Sequence, residues 1–205
     1  AFAQAASWSV AQELDESQAW LYNQRGPKRV AIFGAGGIGK QLIALLKPFG
    51  VHITAVNRSG RPVEGADEVV AMDDAAHVWG EADVIFCILP ATAETEGLID
   101  AAKFRAMKPS ALFINVGRGS TVVTDDLVDA LREGEIAGAG LEVVDPEPLP
   151  DDHPLLSLPN CTMTPHIGAT KHVAQYHMGD IFNANAAAWD KGEPMPTQVD
   201  PEAGY

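Results

Sequence analysis

A glycine-rich segment, Gly34-Ala35-Gly36-Gly37-Ile38-Gly39, constrains the fold of this chain more than any other feature. It directly follows a short apolar run, KRVAIF (residues 28–33), and it begins a set of apolar residues at helical spacing. These are Ile38, Leu42, Leu45, Leu46 and Phe49. An uninterrupted apolar run of this length is typical of a buried strand. The segment therefore predicts a tight turn from a buried strand into a helix.

The same alternation continues along the chain. Further strands are predicted at residues 51–57, 67–72, 82–90, 110–117, 136–144 and 160–166. Helices are predicted at 3–24, 73–79, 100–107, 124–133 and from near Thr170 onward, where Val173, His177, Ile181, Ala184 and Ala188 share one face. Strands that are apolar throughout, alternating with helices, indicate a parallel sheet covered on both faces. We expect a doubly wound α/β fold of the Rossmann type, with six or seven mostly parallel strands.

Composition narrows the classes of partner and compartment. Against 14 Lys and Arg stand 28 Asp and Glu, a net charge of −14, so we expect no nucleic-acid partner. No apolar run approaches the roughly 20 residues of a membrane span, and the N-terminal segment lacks the pattern of a signal peptide. Cys87 and Cys161 lie in apolar strand contexts, which favours buried free thiols in a reducing cytoplasm.

The glycines fit a dinucleotide-binding turn. Gly34 would permit the tight turn, Gly36 would leave room for a pyrophosphate, and Gly39 would let helix and strand pack closely. Gly37 and Ile38 complete the motif, and the free N–H groups of the helix start would face the phosphates. The alternative is a glycine-rich packing turn without a ligand.

The end of the second predicted strand bears on cofactor choice. Asn57 lies 18 residues after Gly39, near where an acid would bind the ribose hydroxyls of NAD. Asn57 removes the repulsion of a 2′-phosphate, Arg58 offers it a charge-assisted fork, and Ser59 adds a hydroxyl. This favours NADP(H) over NAD(H). The alternative is a surface turn, because Asn-Arg-Ser-Gly is also good turn chemistry.

Three later segments place titratable residues at strand ends, namely NVGRG (115–119), GLEVVDPEPL (140–149) and TPHIGAT (164–170). Ligands bind at this edge in doubly wound sheets. Arg118 would bind a substrate carboxylate and carbonyl. His166 beside a carboxylate would be suited to proton transfer. The histidines, cysteines and acids lack the spacing of a zinc site, so we expect no metal.

Over roughly residues 28–190 the chain resembles the D-isomer-specific 2-hydroxyacid dehydrogenases, which include glyoxylate/hydroxypyruvate reductases and phosphoglycerate dehydrogenases. The resemblance rests on LKPFG (46–50 with Leu45 before it), ILPATAETEGLID (88–100), NVGRGS, EVVDPEPLP and TPHIGAT. It implies that Arg118 binds substrate, that His166 is the acid/base and that Glu147 orients His166. It also implies cofactor contacts, including one from Glu142 where the family has Asp. These contacts are Leu89, Pro90, Thr95, Val116, Gly117, Arg118, Glu142, His166 and Gly168.

The resemblance further implies a reaction and a domain organisation. NADPH would reduce the C2 carbonyl of a 2-oxo acid to the D-hydroxy acid, with the proton coming from His166. We expect an interface helix at 1–27, the dinucleotide domain at 28–190 and a tail at 191–205. The family's smaller substrate domain has no room here, so we expect a fragment that binds cofactor with little turnover. Family members imply a homodimer through this domain.

Two alternatives stay open at this point. A corepressor-like nucleotide sensor related to the family would share the same Arg, Glu and His. A different Rossmann enzyme is the other, but a short-chain dehydrogenase would need Tyr-x-x-x-Lys, and Tyr176 is followed by Gly179 and Asp180. Substrate turnover by the product of the complete reading frame would separate the sensor from the reductase.

Overall fold

The computed structural model describes residues 28–169 and 171–199, so the helix predicted at 3–24 lies outside the described residues, as does Thr170. The described strands are β1 (Arg29–Phe33), β2 (His52–Asn57), β3 (Glu68–Ala71), β4 (Val84–Cys87), β5 (Leu112–Asn115), β6 (Gly138–Leu141) and β7 (Cys161–Met163). The described α-helices are α1 (Gly37–Leu46), α2 (Ala76–Glu81), α3 (Ala101–Ala106), α4 (Thr124–Glu133) and α5 (Lys171–Asp190). Each strand predicted from the sequence is present.

The strands form one parallel sheet in the order β3-β2-β1-β4-β5-β6-β7. The chain runs outward from β1 through β2 to β3, returns to β4 beside β1, and then continues to the other edge. The strand order therefore reverses between β1 and β4, which is the point where doubly wound sheets bind ligands. The predicted Rossmann-type architecture is confirmed.

Alternate residues of β1 pack into the two halves of the core. Val30 and Ile32 join the cluster that contains Ile43 of α1, whereas Ala31 and Phe33 face the larger cluster on the opposite side. That larger cluster receives side chains from three helices, namely Val78 and Trp79 of α2, Phe104 of α3, and Leu127 and Leu131 of α4. The sheet is covered on both faces, as fully apolar strands require.

Apolar residues at helical spacing are not all buried in this fold. In α1 the buried side chain is Ile43, while Ile38 and Leu45 are 63% and 68% exposed. The predicted face of α5 is not a buried face either, since only Ala188 among its described members is buried. The residue type of Thr124 predicts an N-cap at the start of α4. That prediction is wrong, because Thr124 is the first helical residue and its hydroxyl donates to the carbonyl of Asp145. Periodicity shows which side chains share a face, but it does not show what covers that face.

Cys87 lies in β4 and Cys161 lies in β7. Cys87 is buried and Cys161 half-buried, and both are free thiols. Burial raises the pKa of both, that of Cys161 to about 11, so neither is a reactive thiolate at neutral pH.

Across the described ranges, no helix has the length and apolar character needed to span a bilayer.

Candidate active site at the carboxyl edge of the sheet

A cavity of about 550 Å³ lies at the carboxyl ends of β1, β2, β4 and β5. Its lining includes fourteen of the residues that the sequence predicts for cofactor binding or catalysis: Gly34, Gly36, Gly37, Ile38, Gly39, Asn57, Arg58, Ser59, Leu89, Pro90, Thr95, Val116, Gly117 and Arg118. Glu142, Glu147, His166 and Gly168 lie outside this lining. The cavity sits at the reversal of strand order, where the fold predicts a ligand.

The glycine turn is built for close approach of backbone. Gly34 has φ +102°, which side chains rarely adopt, and a Cβ there would lie 2.5 Å from the carbonyl oxygen of Ile88. A Cβ on Gly39 would lie 2.4 Å from the carbonyl oxygen of Gly34, so this position sets how tightly α1 packs on β1. Gly36 caps α1 without a side-chain bond, and the first turn of α1 has no acid. The helix start thus offers N–H groups to an anion.

The end of β2 is organised by Asn57. Its Oδ1 accepts from the amides of Ser59 and Arg61 at 3.1 and 3.2 Å, and its Nδ2 donates to the carbonyl of Arg61 at 2.8 Å. The Arg61 Nε in turn donates to the Ser59 hydroxyl at 3.1 Å. Both Arg58 and Arg61 line the cavity. This loop is therefore a hydrogen-bonded surface turn, and it also lines the cavity.

Arg61 is a cavity residue that the sequence reasoning missed. The dinucleotide-binding motif predicts a ribose-binding residue directly after the second strand. Arg61 comes later, just after Gly60 and four residues beyond Asn57. The signal that could have found it is the repeated basic residue in Asn-Arg-Ser-Gly-Arg, because a loop folded by an Asn side chain returns on itself. Two guanidinium groups at one edge on a chain of charge −14 form a local positive site.

The loop after β4 is held by Thr95. Its hydroxyl donates to the carbonyl of Pro90 at 2.6 Å, and it accepts from the amide of Thr92 at 2.9 Å. These bonds fold residues 90–95 against the cavity, which Leu89, Pro90 and Thr95 all line. Thr95 therefore shapes the wall of the cavity through its own turn.

The turn after β5 positions Arg118. Asn115 is 1% exposed; its Oδ1 accepts from the amide of Gly117 at 3.0 Å, and its Nδ2 donates to the carbonyl of Arg118 at 3.1 Å. The hydroxyl of the fully buried Thr121 donates to that same carbonyl at 2.7 Å. Buried polar groups that are satisfied in this way fix a backbone firmly. Asn115 and Thr121 support the site, and no motif in the sequence singled out this role for them.

His166 and Glu147 form a pair at the ends of β6 and β7. The His166 Nδ1 lies 2.7 Å from the Glu147 Oε1, and both side chains are nearly half exposed. His166 has φ +54°, the one described non-glycine residue with a positive φ. The two line a second cavity of about 630 Å³, together with Glu142, Pro148 and other residues of these loops. Because Nδ1 is taken by Glu147, Nε2 remains for another partner.

Glu142 contacts the same loop as His166. Its Oε2 accepts from the Thr164 hydroxyl, and its Oε1 accepts from the amide of Gly168. These bonds, that of Thr164 foremost, lower the pKa of Glu142 and keep it ionised. Gly168, predicted to contact cofactor, donates its amide to Glu142 and lines neither cavity.

The described part of the chain contains no cluster of three or more His, Cys, Asp or Glu side chains arranged to hold a metal ion. The candidate site thus consists of a glycine-lined cavity bordered by Arg58, Arg61 and Arg118, and an imidazole–carboxylate pair that lines the second cavity. All of these lie at one edge of the sheet, because the carboxyl ends of parallel strands point the same way.

Sheet topology and cavity together define a Rossmann-type dinucleotide-binding domain. Residues 1–168 match the family described as D-isomer specific 2-hydroxyacid dehydrogenase, NAD binding domain. The chain therefore belongs to the D-isomer-specific 2-hydroxyacid dehydrogenase family and carries its NAD-binding domain. The resemblance predicted from the motifs is confirmed.

Individual relatives agree with this assignment. An uncharacterized protein of Corynebacterium melassecola is 52% identical over 98% of the chain and 65% of its own length. The human glyoxylate reductase/hydroxypyruvate reductase is 42% identical over 83% of the chain and 52% of its own length. A probable 2-hydroxyacid dehydrogenase from Rhizobium etli, solved with NADP, HEPES and tartaric acid, has a TM-score of 0.80 at 29% identity, covering 97% of the chain and 68% of its own. The chain spans about half to two thirds of the length of these proteins.

Proposed function

We propose that the chain is the cofactor-binding part of an NADP(H)-dependent reductase that converts a 2-oxo acid to the D-2-hydroxy acid. The observation that carries this proposal is the His166–Glu147 pair, 2.7 Å apart at the sheet edge that also holds the glycine-lined cavity. A packing turn alone would need neither a paired imidazole nor an arginine at the same edge of the sheet. Family membership supports the same class of reaction.

The cavity fits a dinucleotide on its own geometry. The uncapped start of α1 suits the pyrophosphate. A Cβ on Gly36 or Gly37 would meet no atom within 4 Å beyond its chain neighbours and the backbone of α1 itself, so the space before them is open. Bound there, the nicotinamide would supply the hydride that C2 of the substrate receives. The walls at Leu89, Pro90 and Val116 would exclude water from the rings.

The protein's own residues supply charge and a proton. Arg118 would bind the substrate carboxylate and polarise the C2 carbonyl, held in place by the Asn115 and Thr121 bonds to its backbone. The His166 Nε2 would donate the proton to the forming alkoxide oxygen, since Nδ1 faces Glu147. Glu147 would fix the ring orientation and stabilise the imidazolium. In the reverse direction, His166 would accept the proton.

The loop after β2 supports NADP(H) over NAD(H). It carries no acid at Asn57, and Arg58 and Arg61 both border the cavity. A ribose 2′-phosphate placed there would pair with one or both guanidinium groups, whereas a 2′-hydroxyl would gain little from them. The Rhizobium etli structure contains NADP, which is consistent with this choice.

Glyoxylate and hydroxypyruvate are the first substrates to test, because the human relative is a reductase of both by name. We also propose a cytoplasmic homodimer, with residues 28–190 as the dinucleotide domain flanked by 1–27 and 191–205. No nucleic-acid or membrane partner is proposed, because the net charge of −14 opposes association with anionic surfaces.

The test is NADPH oxidation by the product of the complete reading frame with glyoxylate, hydroxypyruvate and bulkier 2-oxo acids. We expect turnover with at least one of them and a D-configured product. His166→Gln should lower kcat by about 10²–10⁴-fold and change NADPH affinity far less, because its main effect is to remove the proton donor. No turnover across the panel, with NADPH bound, would favour a nucleotide sensor instead.

A further inference from the structure

The loop that carries His166 is held on both sides by one side chain. Thr164 precedes His166 by two residues and Gly168 follows it by two, and both donate hydrogen bonds to the Glu142 carboxylate, one to each oxygen. Between them the His166 amide donates to the Thr164 carbonyl at 3.0 Å, which makes a tight turn. The turn is closed at its two ends on the same carboxylate.

The turn needs such support because His166 has φ +54°, a conformation that costs free energy in a non-glycine residue. Such conformations persist where the surroundings determine them. Gly168 fits the arrangement, since a Cβ there would lie 3.1 Å from the Glu142 Oε1. The Gly168 backbone approaches the carboxylate more closely than a larger residue would comfortably allow.

Glu142 and Glu147 belong to the same loop after β6. Glu147 contacts the His166 ring at 2.7 Å, while Glu142 contacts the backbone turn that carries the ring. We propose that Glu142 is a positioning residue that fixes the His166 turn, so that the two acids together set the ring in place. This inference rests on the proposed function, in which the ring is the proton donor.

This role differs from a nicotinamide contact, the role that family resemblance implies for this position. Glu142 lines the second cavity with His166 and not the glycine-lined one. Its lowered pKa keeps it an anion, which suits an acceptor of two hydrogen bonds. The extra methylene of Glu relative to Asp extends the carboxylate toward the β7 loop.

The structural arm of the test uses NMR on the 205-residue chain. Glu142→Met keeps the length of the side chain and removes both acceptors, and Glu133→Met, at the exposed end of α4, is its matched control. In Glu142→Met we expect the Gly168 amide to exchange at least about tenfold faster and the His166 ring nitrogen shifts to change. Exchange at the buried Phe113 amide should stay unchanged, which separates positioning from unfolding.

A second pair of variants keeps the test decisive if Glu142→Met is poorly folded. Thr164→Val removes one donor at constant shape, and Thr164→Ser restores the hydroxyl. We expect Thr164→Val to change the His166 ring shifts and Thr164→Ser to return them. Unchanged Gly168 exchange and unchanged ring shifts in both Glu142→Met and Thr164→Val would overturn the proposal.

The ligand arm compares NADPH with 2′-phospho-ADP-ribose, which lacks the nicotinamide. If Glu142 positions the turn, Glu142→Met should change the Kd of either ligand less than about twofold. A tenfold loss for NADPH alone would instead make Glu142 a nicotinamide contact and overturn the proposal. If the wild-type chain binds neither ligand, the proposed function fails, while the exchange and ring-shift measurements still decide the role of Glu142.

Discussion

At the scale of single residues, Arg58 and Arg61 give the cavity its local positive charge. Arg58 was predicted from its place after the second strand, whereas Arg61 was not, because its position depends on how Asn57 folds the loop. Arg61 is hydrogen-bonded to the Asn57 side chain through its amide and carbonyl, and to the Ser59 hydroxyl through its Nε. These bonds bring the second guanidinium group to the same edge of the cavity as Arg58. Side-chain identity can be read from a motif, but the return of a loop depends on three-dimensional hydrogen bonding.

Removing either arginine should shift cofactor choice. In Arg58→Ala or Arg61→Ala we expect NADPH affinity to fall about tenfold or more, since a hydrogen bond to a charged group contributes about 1.5–3 kcal/mol. NADH affinity should stay the same, because it lacks the 2′-phosphate. Calorimetric titration of both cofactors measures this, with Arg105→Ala on the exposed side of α3 as control. Equal losses for NADPH and NADH would refute the role of these two residues.

At the scale of elements, two aspartates at the amino ends of the strands connect neighbouring strands by hydrogen bonds. Asp67, just before β3, accepts from the Ile53 amide of β2 at 2.8 Å. Asp83, just before β4, accepts from the Arg29 amide of β1 at 2.9 Å and from the Lys108 Nζ at the same distance. Each aspartate thus joins its strand to the neighbouring one. Strand runs and glycine turns were predictable, but these cross-strand acids were not, since their partners are far away in sequence.

Asp83 should make stability depend on acid pH. Burial opposes its ionisation, but the bonds from Arg29 and Lys108 outweigh burial and lower its pKa. The stabilisation is therefore present above the unfolded value of about 3.9 and is lost as pH falls through the lower folded value. In urea unfolding between pH 7 and pH 2.5 (roughly the accessible range), Asp83→Asn should lose about 1–3 kcal/mol at neutral pH and show a shallower acid decline.

The control for this prediction is Asp73→Asn, an exposed residue in the short helical turn after β3. It should follow the wild-type curve at every pH. If Asp83→Asn declines as steeply as the wild type below about pH 4, the bonds to Arg29 and Lys108 do not provide the pH-dependent stability assigned to them.

At the scale of the whole molecule, the fold was largely determined by pattern. Apolar runs, glycine turns and helical spacing predicted a doubly wound parallel sheet and the edge where ligands bind, whereas the order of its seven strands is seen only in the structure. The pattern could not show what covers α5, in which the aromatic residues Phe182 and Trp189 are each 72% exposed. The sequence of a helix determines which side chains share a face, but what packs against that face depends on the rest of the protein.

These exposed aromatic residues agree with a self-associating protein. Large exposed apolar side chains often mark interaction surfaces. Sedimentation equilibrium of the chain should give a mass about twice 21.7 kDa. A single species at the monomer mass over the full concentration range would contradict the proposed homodimer.

The central claim is that the carboxyl edge of this sheet holds NADPH across β1, β2 and β5. Two-dimensional NMR of the labelled chain, titrated with NADPH, tests it most directly. Saturable shifts should appear at the amides of Gly36, Arg58 and Gly117, while amides at the opposite edge, such as Ile53 and Asp83, stay still. Saturable shifts confined to the opposite edge, or no saturation at all, would contradict the claim.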